Sequence, residues 1–228
     1  MKLTIVGYGK MGKLIEQLAP EYGFTVHACV DVNNDVNDDI AKAAGSDVAI
    51  EFTTPEAAVA NIEKLAALKI PVVVGTTGWL TEKERVQSAI ARNNTGMVWS
   101  PNFSIGVNVF FRLVQEAARL MADEPSYGAW AWEIHHDTKK DAPSGTMLKL
   151  VDDMKAAGFA RAIDVSSNRA GRHPGTHEIG FDSAADTITL RHAARSREGF
   201  ARGALKAAQW IIGKQGVFEF SEVLFPKR

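Results

Sequence analysis

Residues 3–14 read LTIVGYGKMGKL, and their punctuation sets the fold class. The apolar run Leu3–Val6 suits one buried strand. Gly7-Tyr8-Gly9-Lys10-Met11-Gly12 follows without a spacer, and Leu14, Ile15 and Leu18 recur at helical spacing until Pro20. Strand, glycine turn and helix in this order give a GxGxxG pattern its meaning, because glycines let a backbone approach a pyrophosphate and the unpaired N–H groups of the helix start meet its charge. A second apolar run, Thr25–Val30, ends in Asp31, 19 residues beyond Gly12, where an acid takes ribose hydroxyls. An ordinary glycine-rich turn is the plainer alternative, but the strand, helix and acid in register favour dinucleotide binding through Gly7, Gly9, Lys10, Met11, Gly12 and Asp31.

The alternation continues outward. Residues 47–52 read as a third strand ending in Thr53-Thr54-Pro55, and residues 56–68 as a helix with Thr54 as its cap and Pro55 at its first position. Residues 71–74 form a fourth strand ending in Gly75-Thr76-Thr77-Gly78-Trp79. Residues 81–93 form a helix with Glu82 and Glu84 in its first turn, and residues 97–100 a fifth strand ending in Pro101-Asn102-Phe103. Strands alternating with helices predict a Rossmann-like, doubly wound parallel sheet, α/β in class. Ligands of such sheets sit beyond the strand C-termini, so the turns starting at Gly7, Asp31, Phe52, Gly75 and Pro101 should converge on one crevice. Taken singly, the Thr-Pro and Gly-Thr-Thr-Gly turns are equally well read as caps and tight turns. Asp31 would repel a 2′-phosphate and Val32 offers no guanidinium to hold one, which favours NADH. Lys10 and Lys13 leave NADPH open.

Composition narrows the partners. With 26 basic against 27 acidic residues the net charge is -1, so no global field exists to hold a nucleic acid or an anionic membrane. Cys29 is the only cysteine, which excludes an intramolecular disulfide and a thiolate zinc site and suits a reducing compartment. The first apolar run stops at Gly7, too short for a signal peptide or a membrane span. The expected location is the cytoplasm.

After Asn102 the pattern changes. Residues 107–121 form a long amphipathic helix and residues 129–134 a strand, and then residues 133–146 read EIHHDTKKDAPSGT. Ser144-Gly145-Thr146, with Pro143 before it, opens a helix running to about residue 157, whose first N–H groups and hydroxyls make a carboxylate or phosphate cradle. Lys139 or Lys140 adds an ammonium. Histidine yields a proton near neutral pH, and His135 and His136 at a strand end point to opposite faces, so one of them can serve the crevice as a catalytic acid. No metal is expected, because the flanking lysines repel a dication. Downstream, Arg169, Arg172, His173 and His177 lie in a polar, turn-rich stretch, read here as a solvated basic loop rather than an extension of the anion site. Strands follow around residues 178–181 and 187–192, then a helix over 200–212 and a tail over 217–225 that packs back on the first domain. The expected domains are 1–103 with 197–228 for the dinucleotide, and an inserted α+β domain, 104–196, with a mostly antiparallel sheet.

The segment Glu133–Thr146 resembles the signature of the 4-hydroxy-tetrahydrodipicolinate (dihydrodipicolinate) reductase family. The likeness extends to Phe52-Thr53 with Pro55-Glu56, Val74–Gly78, Pro101–Asn108, and Ser196-Arg197 with Phe200–Ala204. The resemblance implies an NADH- or NADPH-dependent reduction of a cyclic unsaturated dicarboxylate to tetrahydrodipicolinate in lysine and diaminopimelate synthesis, and a homotetramer joined through the second domain. His135 would be the proton donor and Lys139 its cationic partner. His136, Ser144, Gly145 and Thr146 would hold a substrate carboxylate. Gly75, Thr76 and Thr77 would border nicotinamide and substrate, with Phe52, Thr53, Asn102 and Phe103 on the nicotinamide side. Here the first glycine turn is one residue shorter than is usual in the family, and Lys10 stands where it has Arg. Asp31-Val32 replaces its acid-plus-arginine pair, and the segments after Asp31 and Thr176 are shortened. Two other readings share parts of the pattern: an aspartate-dehydrogenase-like enzyme acting on an amino or imino acid, and a non-catalytic NADH-sensing module.

Overall fold

The structure is a computed structural model and describes residues 1–31 and 40–226. It comprises two compact units, Met1–Ser104 with Glu198–Arg228, and Ile105–Arg197. Val32, invoked above for cofactor choice, lies outside the described residues.

The first unit is built on six strands: β1 (Lys2–Val6), β2 (Thr25–Val30), β3 (Val48–Glu51), β4 (Val72–Val74), β5 (Gly96–Trp99) and β10 (Gly216–Glu219). Their order is β10-β5-β4-β3-β1-β2 and every pairing is parallel. Strands β3 and β4 are buried at every position because helices cover both faces, and so they are apolar throughout except for Glu51 at the end of β3. Alternate residues feed two cores. Leu3, Ile5, Ile50 and Val73 pack with Ile15 and Leu18 of α1 (Lys10–Leu18), while Val6, Ala49, Val72 and Val74 pack with Ala58, Ile62 and Leu65 of α2 (Pro55–Ala67) and Val86 and Ile90 of α3 (Lys83–Arg92). Thr54 holds the position before α2 with Pro55 first in the helix, as expected, but its hydroxyl caps no backbone N–H and turns instead to Glu56.

The second unit has strand order β7-β6-β8-β9. Its helices are α4 (Ile105–Met121) and α5 (Gly145–Ala156), and its strands are β6 (Gly128–His135), β7 (Ile163–Arg169), β8 (Thr176–Asp182) and β9 (Thr187–Ala193). Strand β6 pairs parallel with β7 and antiparallel with β8, and β8 pairs antiparallel with β9. Phe110, Val114 and Ala118 of α4 and Met147, Leu150 and Met154 of α5 pack over Ala131, Ile179 and Phe181. Each large side chain buried there contributes roughly 1.5–3 kcal/mol. The sequence pattern does not announce strand β7: its residues alternate between half-buried and exposed, leaving no apolar run to mark it. Its register with β6 sets Glu133 opposite Ser167 and His135 opposite Arg169, and the pairing of β6 with β8 sets Glu133 opposite His177. The chain returns to the first unit through α6 (Glu198–Ile211), and β10 is followed by α7 (Phe220–Leu224). Gly203 lets α6 approach, because a Cβ there would stand 1.7 Å from the Phe103 carbonyl oxygen. Among the described residues, no helix is long and apolar enough to cross a membrane.

Candidate active site

In the first unit, three turns at the strand ends form one cleft of about 420 Å³. Gly9, Lys10 and Met11 come from the first turn, Phe52 and Thr53 from the second, and Gly75, Thr76 and Thr77 from the third. The glycines have different reasons. Gly7 has φ +94°, and a Cβ there would lie 2.0 Å from the Phe52 carbonyl oxygen; at Gly12 it would lie 2.3 Å from that of Gly7. At Gly75 it would strike the Phe52 ring at 2.1 Å. Gly9 has open space around it and stands just before α1, whose start has no side-chain cap and no acid in its first turn. That is room and unspent N–H polarity for an anion.

Glu51, at the end of β3, is fully buried beneath the second turn. Its Oε1 accepts from the Thr53 N–H at 3.1 Å and from the Thr53 hydroxyl, and Thr53 N–H also reaches Thr76 Oγ1 at 2.7 Å. Burial pushes its carboxyl above the usual range, partly offset by these bonds from Thr53, Thr76 and Asn61. Asp31 follows β2 and is half-buried, outside the residues lining the cleft. Asn102 accepts from the Ser104 N–H at 2.9 Å. Phe103 is core rather than surface, edge-on to Phe52 at 6.3 Å and packed on Phe220 at 4.9 Å.

In the second unit, Glu133 is fully buried and richly bonded. Its Oε1 accepts from Ser144 N–H at 2.9 Å, Ser167 hydroxyl at 3.0 Å and Arg169 Nη2 at 2.9 Å, and its Oε2 accepts from the Ser144 hydroxyl. Two imidazoles face that second oxygen, His135 Nδ1 at 3.5 Å and His177 Nε2 at 3.4 Å. Burial alone would raise the Glu133 carboxyl, but bonds from His177, Ser144 and Arg169 outweigh it and hold the group well below the ordinary range. His135 goes the other way. Desolvation, opposed by Glu133 and reinforced by His177, Lys139 and Arg169, pushes its ring down to about 4. Its Nε2 side rests on bare Gly175, where a Cβ would come within 2.9 Å. Glu133, His135 and His177 lie close enough to suggest a metal site, yet both Glu133 oxygens already accept hydrogen bonds and a guanidinium pairs with one of them.

His136 follows the strand and shares a 2.7 Å hydrogen bond with Thr138. Lys139 Nζ donates to both oxygens of Asp141, at 2.7 and 2.8 Å, and Asp141 also accepts from the Gly145 N–H. Ser144 caps α5 through its bond from Met147 N–H at 3.2 Å, while its own proton is committed to Glu133.

Comparison with known proteins decides the family. Residues 1–103 match the model described as "Dihydrodipicolinate reductase, N-terminus" and residues 106–224 the one described as "Dihydrodipicolinate reductase, C-terminus". The chain belongs to the dihydrodipicolinate reductase family. The 4-hydroxy-tetrahydrodipicolinate reductase of Christiangramia forsetii is 36% identical over 98% of each chain, and that of Methanosarcina mazei is 37% identical over 81% of this chain and 75% of its own. A dipicolinate-bound dihydrodipicolinate reductase from Paenisporosarcina sp. TG-14 shares the fold at TM-score 0.80, with 20% identity over 96% of this chain and 97% of its own. Aspartate dehydrogenase from Thermotoga maritima shares it at 0.54, with 12% identity over 94% and 97%, and the dehydrogenase reading is not favoured.

For this reductase-family chain, the folded site adds residues that the motif does not announce. Arg169 and His177 are not a solvated basic loop: Arg169 ends β7 with its guanidinium on Glu133, and His177 is 5% exposed in β8. A polar residue in an alternating strand reads as solvent-facing, and the pairing with β6 reverses that. Sequence reasoning also misses Glu133 and Glu51 as site residues. The available signal is a carboxylate near the C-terminal end of a strand, two residues before His135 in one case and directly before Phe52 in the other.

Proposed function

We propose that the protein is an NAD(P)H-dependent reductase converting 4-hydroxy-tetrahydrodipicolinate to tetrahydrodipicolinate in lysine and diaminopimelate synthesis. The observation that carries this reading is a buried His135 beside the Glu133 carboxylate, followed in sequence by Lys139 and the Ser144-Gly145-Thr146 helix start, in a chain matching the reductase family over both halves. The residues of the first unit fit a dinucleotide. Gly9 is open to a pyrophosphate, the uncapped start of α1 offers N–H groups, and Phe52, Thr53, Gly75, Thr76 and Thr77 would hold the nicotinamide end. Bound there, a reduced nicotinamide supplies a hydride.

The rest falls to the second unit. Lys139, the Gly145 and Thr146 N–H groups and the Thr146 hydroxyl would hold a ring carboxylate, with His136 at its margin, once Asp141 gives up Lys139 and Gly145. Ser144 would act by shaping the start of α5, since its proton serves Glu133. His135 is neutral in the free protein near pH 7, and a dianionic ring beside it would favour its charged form. It then gives its proton to the ring carbon as the hydride arrives, so that the ring gains hydride and proton and loses its hydroxyl as water. NADH is the favoured cofactor, through Asp31 as the partner of the ribose hydroxyls. A homotetramer in the cytoplasm completes the reading; light scattering on the purified protein tests the subunit count.

The experiment follows NADH absorbance when the protein meets the condensation product of pyruvate and aspartate semialdehyde, with His135→Gln in parallel and both repeated with NADPH. Turnover that His135→Gln loses by roughly two to four decades, with NADH affinity kept, is expected. Folded wild-type protein that binds NADH but turns over with neither cofactor would refute the assignment.

A further inference from the structure

The Glu133 cluster is more elaborate than charge balance requires. Arg169 alone neutralises the carboxylate, at 2.9 Å, yet the chain also spends both Ser144 groups and Ser167 on it, and turns two imidazoles toward one oxygen. Those bonds leave Glu133 ionised and its side chain immobile. An ionised carboxylate 3.5 Å from Nδ1 favours a proton there on a neutral His135 ring, because the other tautomer would turn a nitrogen lone pair toward Oε2.

We propose that Glu133 is the positioning residue of His135: it selects the Nδ1–H tautomer, so that the proton the ring takes up and gives away is always the one on Nε2. This inference rests on reading His135 as the proton donor. The charged and titratable groups facing the ring are Glu133 on its own strand, His177 from β8, Arg169 from β7 and Lys139 from the segment after β6. Three of these four oppose a positive ring and Glu133 alone favours it, so without the carboxylate the ring would hold a proton less readily still. His177, on the same oxygen, adds to the acceptor's shell, and His135 Nδ1 stands 3.5 Å from Oε2 without a formed hydrogen bond, so the carboxylate acts on the ring through charge.

The test uses the full chain. In ligand-free wild-type protein labelled with ¹⁵N-histidine, long-range proton–nitrogen spectra should show His135 as the Nδ1–H tautomer. In Glu133→Gln, the alkaline limb of the pH–kcat profile should move to lower pH by at least about one unit, with kcat at pH 7.5 down by roughly two decades or more and NADH affinity unchanged. Glu133→Asp, which keeps the charge, should recover the limb's position in part. An Nε2–H tautomer in the wild type, or a Glu133→Gln profile that overlays the wild type, overturns the proposal. If Glu133→Gln does not fold, the wild-type tautomer decides alone. Absence of wild-type turnover would sink the functional reading but not this one, because the tautomer is read without substrate.

Discussion

The ring of His135 sits at about 4 in the free protein, far too low for a neutral-pH acid, and the proposed reaction therefore requires substrate to bring the proton with it. A carboxylate placed ~4 Å from the ring, at an effective dielectric of ~20, favours the imidazolium by about 4 kcal/mol. At 1.36 kcal/mol per pKa unit this is about 3 units, which carries the bound ring to about 7. The sign follows. Between about pH 5 and about 7 the free ring is neutral and the bound ring charged, so each ligand takes up close to one proton and affinity falls about tenfold per pH unit as pH rises. Dipicolinate is the probe. Isothermal titration calorimetry in buffers of different ionisation enthalpy counts the proton, and the dissociation constant is followed across the same window. His135→Gln should bind dipicolinate with no pH dependence there. A wild-type dissociation constant that is flat over this range, with heats independent of buffer, would refute the reasoning, because His135 would then stay neutral beside its ligand.

Gly12→Ala should lose roughly 1–3 kcal/mol of stability by driving a methyl into the Gly7 carbonyl. Gly9→Ala, with open space around it, should stay within about 1 kcal/mol of wild type while NADH affinity drops about tenfold; chemical denaturation and cofactor titration separate the two. Glu51 has a raised folded value, so its contribution to stability is present below the ordinary carboxylate range and lost as pH rises through the raised one. Glu51→Gln does not titrate, and its melting temperature should gain on wild type as pH rises above the ordinary carboxylate range; a constant difference would mean that Glu51 is not raised. Asp141→Asn removes the anion that engages Lys139, so dipicolinate should bind a few times more tightly at low salt, and the gain should shrink as ionic strength rises. Equal or weaker binding would show that Asp141 orients Lys139 rather than competing for it.

Sequence by itself determined the first unit almost completely. Leu3–Val6, the glycine turn and the helix after it are local statements: hydrophobic period, a positive φ at Gly7 and an uncapped helix start all depend on residues within a turn of one another. The same holds for Ser144 ahead of α5. Tertiary structure alone decided what surrounds His135. Ser167 and Arg169 reach Glu133 from 34 and 36 residues away along the chain, and His177 reaches Ser144 from 33, through a strand register that no short window contains. Glu51 behaves alike, its Thr53 partner tied to Thr76 across 23 residues. Side-chain chemistry is written in the residue, but its proton affinity is set by desolvation and by charges brought from elsewhere in the chain. Local pattern marks His135 as a candidate acid; only the folded sheet removed water from it, set a carboxylate behind it and so determined when it holds a proton.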